Sequence, residues 1–260
     1  MKYTMGSPPP HRLLLLLLAV AAVLHRSAAA AEGVIRLPSG RACAAPADPA
    51  AYDRPVIGIV SHPGDGAGGR VSNGTAASYI AASYVKFVES AGARVVPLIY
   101  NEPEERLLEK LSLVNGVLFT GGWVKSGPYF ETIKKVFQYV LDKNDAGIPF
   151  PLFAQCLGFE LVTMIVSKVY VSTVQANKYP ITCTQWHPEK AIFEFGKQMI
   201  PHSEEAVQVT QNFANYFISQ ARKSQNRPPA DKVLDNLIYN YSPTFIGKKS
   251  KSFDVVYIFS

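Results

Sequence analysis

A thiol, an imidazole and a carboxylate occur in this chain in surroundings suited to covalent acyl transfer: Cys156, His187 and Glu189. Cys156 follows the apolar run Pro151 to Ala154, which reads as a short buried strand. It precedes Leu157-Gly158 and a helix-like segment, Phe159 to Val166. A strand–nucleophile–helix turn lifts one side chain above the carboxyl end of a sheet, and the helix N-terminus favours a thiolate there. Gly158 leaves no β-carbon where helix and strand approach. From this stretch alone, a buried core cysteine explains Cys156 as well, since free Cys is mostly a small hydrophobe.

The second half of the chemistry lies in Gln185-Trp186-His187-Pro188-Glu189. Ile181 to Trp186 is an expected strand, and Pro188 pushes His187 into extended backbone. His187 and Glu189 sit two apart, within reach for the carboxylate to orient the imidazole. Nucleophile, general base and orienting acid are the three parts of a Cys-His-Glu triad.

These elements need a frame. Val56 to Val60, Arg94 to Ile99 and Gly116 to Phe119 read as strands. The intervening helices are expected at Ser78 to Ala91, which Gly92 stops, and from a capping pair Asn101/Glu104 to about Leu113. Tyr129 to Asn144 is another expected helix. Strands alternating with helices at this spacing give a three-layer αβα sandwich with a mainly parallel sheet. His62 falls in the loop after the first strand, where it could line the site, with an ordinary surface position as the favoured expectation. Ser203 caps an amphipathic helix, Glu204 to Arg222, with Ala206, Val209, Phe213, Phe217 and Ile218 toward the core. Two short strands, near 244–246 and 255–259, end the chain around a lysine-rich turn.

Ala-Gln-Cys156-Leu-Gly-Phe-Glu, Gln-Trp-His187-Pro-Glu189-Lys and Leu118-Phe-Thr-Gly-Gly122 resemble the class I glutamine amidotransferase-like superfamily. Within it they are similar to the γ-glutamyl hydrolases, in a plant-like version. The stretch from Ala81 to Pro97 and Asn240-Tyr-Ser-Pro243 strengthen the resemblance, which runs from about Arg54 to the end. It implies hydrolysis of folyl-poly-γ-glutamates through a thioester and suggests a homodimer; no cofactor and no metal are expected. It also supports an oxyanion hole from the Gly122 and Leu157 amides, fixed dipoles that meet charge on the tetrahedral intermediate. Glycines needed only for a tight turn are the alternative.

One departure stands out. Thr163 to Lys168 should finish a helix, yet Val169 to Val174 starts a strand at once, although such connections take about two to six residues. Cys156 and His187 are 31 apart, where the family resemblance implies further strands and substrate-binding groups. A domain over 54–260, shortened at the 168/169 join, is therefore expected. A truncated form without turnover is one alternative function, and a glutaminase feeding a synthase another.

The 260 residues, 48% apolar and 18% charged, suit one folded α/β domain. Residues 1–31 read as a secretory signal: Lys2 and Arg12, an apolar run from Leu13 to Leu24, then small residues Ser27 to Ala31. Residues 32–53 read as a flexible segment. The net charge of +6 loses Lys2, Arg12 and Arg26 with the signal, leaving 6 − 3 = +3, and no basic stripe suggests nucleic acid. Neither a metal-ligand spacing nor a phosphate loop is visible, and no membrane association is expected once the signal is removed. Secretory entry, toward a vacuole or the outside, fits glycosylation patterns at Asn73 and Asn240. Of the three cysteines, Cys43 and Cys183 are expected to be free.

Overall fold

The computed structural model describes residues 34–36, 42–44, 50–72, 74, 76–166, 172–250 and 252–260. The expected signal segment, Asn73 and the 168/169 join lie outside them. The chain divides into two units, Met1–Ala50 and Ala51–Ser260. In the first, β1 (Val34–Arg36) pairs antiparallel with β2 (Ala42–Ala44).

The second unit carries the site. Its main sheet, in the order β6-β3-β7-β8-β10-β9 among the described residues, is built from β3 (Val56–Val60), β6 (Arg94–Leu98), β7 (Gly116–Phe119), β8 (Leu152–Gln155), β9 (Thr173–Gln175) and β10 (Ile181–Thr184). All neighbours are parallel except β9, an antiparallel edge strand. β3, β7, β8 and β10 are buried along their whole length, as strands covered on both faces must be.

Alternation along the strands divides the core. Val56, Val60, Phe119 and Ala154 face α2 (Glu104–Ser112), α3 (Gly127–Asp145) and α4 (Leu157–Val166). Ile57, Ile59, Leu118 and Phe153 face α1 (Ala82–Glu89) and α6 (Glu204–Ala221). Phe153 stacks on Phe87 with centroids 5.7 Å apart and packs on Phe217 at 5.5 Å; removing such a ring costs about 3–5 kcal/mol. The expectation of a three-layer αβα sandwich with a mainly parallel sheet therefore holds.

Several local expectations change. Ser78 to Ala81 is not helix but β5 (Ser78–Ala81), in a second, antiparallel sheet ordered β11-β12-β5-β4. There β4 (His62–Pro63) pairs on one side and β12 (Val255–Phe259) on the other, so long-range pairing overrides the helical period. β11 (Pro243–Phe245) completes that sheet. The Asn101/Glu104 capping pair does not form. Pro103 is the N-cap residue of α2, Asn101 donates to the Ala76 carbonyl at 3.1 Å, and Glu104 takes Lys135 at 2.5 Å.

Ser203 does cap α6, accepting the Ala206 N–H at 3.4 Å, but Val209 is 43% exposed and the buried face is Thr210, Ala214, Phe217, Ile218 and Ala221. The stretch expected as loop and tail also holds α7 (Ala230–Asn236) and a 3₁₀ turn, Ile238–Asn240. α5 (Lys190–Phe193) follows the His-Pro-Glu turn.

Candidate active site

β7, β8 and β10 lie side by side and parallel, so their carboxyl ends open onto one edge of the sheet. Phe119 is level with Ala154, and Gln155 with Thr184. One step further along, the Gly121-Gly122 turn, Cys156 and the 185–189 turn emerge together. This register makes neighbours of residues 31 apart.

Cys156 has φ +51°, the one positive φ outside glycine among the described residues. A strained backbone there lifts the side chain out of the strand and starts α4. Three hydrogen bonds hold the elbow. Cys156 N–H donates to the Thr184 carbonyl at 2.8 Å, Glu160 N–H to the Cys156 carbonyl at 3.1 Å, and Gly158 N–H to the Thr120 carbonyl at 3.0 Å. A β-carbon at Gly158 would meet Phe119 at 2.7 Å, so helix and strand approach as closely there as expected.

His187 hydrogen-bonds Cys156 on one side, and its Nδ1 donates to Glu189 Oε1 at 2.8 Å on the other. Glu189 is fully buried, and the turn that carries it is held where Thr210 Oγ1 donates to the Pro188 carbonyl at 2.5 Å. Burial alone would lower the His187 pKa. The Glu189 charge, with hydrogen bonds to Cys156 and Glu189, outweighs it and raises the value to about 9. The Cys156 thiol moves down, chiefly through the His187 hydrogen bond and against burial, with help from the Leu157 amide. Both shifts favour a thiolate–imidazolium pair. In contrast, burial pushes Cys183, a free thiol inside β10, up to about 12.

Tyr84 on α1 also belongs to the site and was not among the expected residues. Its Oη accepts the Gly121 N–H at 2.9 Å and lies 3.4 Å from His187 Nδ1. Burial keeps the phenol protonated. Tyr84 falls inside the expected 78–91 helix, which by itself assigns it no role in the site. Gly121 sits in the middle of the cluster: a β-carbon there would be 2.7 Å from His187 Cε1, 2.8 Å from Tyr84 Oη and 3.4 Å from Cys156 Cβ. The Gly121 amide is thus engaged, whereas that of Gly122 makes no hydrogen bond among the described residues.

The mouth is polar on one side, where Lys125 pairs with Glu160 and Gln185 Nε2 donates to Glu160 Oε1 at 3.1 Å. On the other side a groove of about 350 Å³ runs from Trp186 and His187 past Met199, Ile200 and Val209. His62 is fully buried rather than on the surface, contrary to the expectation for its loop. Asn240 is exposed, and its Nδ2 donates to the Leu234 carbonyl at 3.1 Å. Among the described residues no cluster of three metal-ligating side chains occurs, and no helix is long and apolar enough to cross a membrane.

Residues 55–167 match the family model described as Peptidase C26. The chain is 48% identical to γ-glutamyl hydrolase 2 of Arabidopsis thaliana, with 84% of this chain and 86% of that protein covered. It is 43% identical to a γ-glutamyl hydrolase of Glycine max, with 82% and 86% covered. The human γ-glutamyl hydrolase is 27% identical, with 79% and 90% covered. A cysteine elbow, a histidine held by a buried glutamate and this degree of identity lead to one assignment: the chain belongs to the γ-glutamyl hydrolase family.

Proposed function

We propose that this protein hydrolyses the γ-glutamyl bonds of folyl-poly-γ-glutamates, with Cys156 as nucleophile, His187 as base and acid, and Glu189 as the group that orients the imidazole. The observation that carries it is the hydrogen-bonded series Cys156–His187–Glu189 at the carboxyl edge of the sheet. The Cys156 thiolate adds to the γ-carbonyl carbon, and the Gly122 and Leu157 amides stabilise the oxyanion. On collapse the C–N bond breaks, and His187 gives its proton to the departing amine, leaving a thioester. Water, deprotonated by His187, then adds to the thioester carbonyl, and the Cys156 thiolate leaves with the proton returning to the pair. Incubating the purified protein with a pentaglutamyl folate tests this. Shortened folates and glutamate should appear, and Cys156→Ser should abolish them; product from the serine variant at the same rate would sink the reading.

A second reading concerns efficiency. The alignment to the Arabidopsis relative spans 300 positions but takes in 84% of the 260 residues, about 218, so about 300 − 218 = 82 positions face no residue of this chain. The family match stops at residue 167, beside the 168/169 join. Both facts favour an internally shortened hydrolase with impaired turnover. We also assign the protein to the secretory route, toward a vacuole or the outside. Residues 1–31 would be removed, Asn73 and Asn240 would be the glycan acceptors, and the mature chain would form a homodimer.

A further inference from the structure

Beneath the Gly121-Gly122 turn lies a histidine that the triad does not use. His62, on β4, is fully buried. Its Nδ1 is 2.8 Å from the Pro63 carbonyl oxygen, an atom that only accepts, so Nδ1 carries the ring proton. Nε2 is then an acceptor, and two successive backbone amides point at it: Trp123 N–H at 3.1 Å and Val124 N–H at 3.3 Å. Three aromatic rings fence the imidazole, with centroids at 5.5 Å (Tyr79), 4.5 Å (Trp123) and 5.2 Å (Tyr129). A β-carbon on Gly122 would fall 2.2 Å from His62 Cδ2 and 2.4 Å from Nε2. The turn backbone therefore rests directly on the ring, and the ring grips the two amides that follow Gly122.

From this we propose that His62 is a positioning residue for oxyanion stabilisation. It sets the height and tilt of the 121–124 turn, and thereby the direction of the Gly122 amide, without touching substrate. The inference rests on the reading of Gly122 as an oxyanion donor. Both ring nitrogens are engaged, which leaves His62 no free atom for proton transfer. Burial lowers its pKa to about 4, so the ring stays neutral and Nε2 stays an acceptor at ordinary pH. A donor displaced by roughly 1 Å can cost about 100-fold in rate, and losing one outright costs about 100- to 1000-fold.

The test uses the full chain and separates nucleophile from oxyanion hole. The probe is the γ-semialdehyde of N-acetylglutamate. The Cys156 thiolate adds to its carbonyl carbon to give a hemithioacetal whose oxygen takes up the charge, and nothing leaves. Affinity is read by competition with iodoacetamide at Cys156, followed by peptide mass spectrometry. His62→Phe keeps a ring but removes the acceptor. It should weaken aldehyde capture about 100-fold while iodoacetamide alkylation stays within about twofold, and His62→Gln, whose Oε1 reaches about as far as Nε2, should regain at least tenfold. Should His62→Phe lack the near-ultraviolet circular dichroism of the parent, His62→Asn replaces it, with an acceptor set back by one carbon. Equal capture by the asparagine and glutamine variants then overturns the proposal, and at least tenfold weaker capture by asparagine supports it. Parent-like capture by a folded His62→Phe overturns the role of His62 and leaves Gly122 standing. Alkylation and capture falling together make His62 a scaffold residue only. A parent protein that alkylates at Cys156 but captures no aldehyde removes the oxyanion reading itself, and this inference with it.

Discussion

Glu189 Oε1 and His187 Nδ1 are 2.8 Å apart, and the carboxylate is fully buried. A buried negative charge at that distance holds the imidazole in one tautomer and stabilises its protonated form. A folded-state pKa of about 9, above the ordinary 6.5, has a definite sign. The stabilisation is fully present below pH 6.5 and is lost as pH rises through about 9. The imidazolium in turn holds the Cys156 proton affinity down, which favours the thiolate–imidazolium pair.

Replacing Glu189 by Gln keeps the shape and removes the charge. The His187 pKa should fall from about 9 toward its ordinary range, and the Cys156 thiolate should form only at higher pH. Iodoacetamide alkylation of Cys156 at pH 6 should drop at least about tenfold, with turnover falling by about 100-fold or more. An alkylation-versus-pH curve superimposable on that of the parent would show that Glu189 acts through packing alone.

Cys156 and Cys183 provide an internal comparison. The first is partly exposed with a lowered pKa; the second is buried in β10 with its pKa raised to about 12. Under limited alkylation of folded protein, Cys156 should label at least about tenfold faster. Matching rates at the two positions would refute an activated nucleophile.

Cys156, Gly158, His187, Glu189 and Gly122 were legible because each belongs to a short contiguous motif whose local geometry follows from its own residue types. The main-sheet strands were legible for a similar reason: β3, β7 and β8 are apolar runs buried on both faces. Tyr84 was not, and His62 was open as a lining residue but favoured as a surface one. Tyr84 reaches Gly121 across 37 positions and His62 reaches Trp123 across 61, contacts that no local stretch encodes. Long-range pairing turned the expected start of α1 into β5.

Gly121 is the tightest point of the site. In Gly121→Ala the new methyl would sit 2.7 Å from His187 Cε1 and 2.8 Å from Tyr84 Oη, so the imidazole must retreat from Cys156. The expected result is a loss of turnover of about 100-fold with near-native circular dichroism. Turnover within threefold of the parent would mean that the imidazole relaxes without losing its bond to the thiol.

Processing is checked on protein recovered from a eukaryotic host. The mature chain should begin between Ala30 and Glu32, with glycan on Asn73 more than on Asn240, whose amide nitrogen is held by the Leu234 carbonyl. Finding Met1 at the N-terminus of soluble, secreted protein would overturn the secretory assignment.

The proposed shortening at the 168/169 join should affect turnover more than thiol chemistry. The elbow, the Gly121-Gly122 turn and the His-Pro-Glu turn are held by β7, β8 and β10, and those three strands are present and in register. Beyond β10 the sheet ends in β9, three exposed residues, next to an apolar groove of about 390 Å³ lined by Phe159, Val162, Val166, Val174, Tyr179 and Cys183. Uncovered apolar surface of this kind invites association. Any substrate group belonging to the segment proposed to be missing would have no counterpart here, and binding energy lost remote from the reacting bond lowers kcat as well as raising KM. Iodoacetamide should therefore still label Cys156 quickly, while hydrolysis of pentaglutamyl folate runs at least about 100-fold below that of a full-length plant relative assayed beside it. The protein should also elute partly as aggregates in size-exclusion chromatography. Turnover within a few-fold of the relative would show that the triad and the two turns suffice, and that the shortened segment carries no indispensable group.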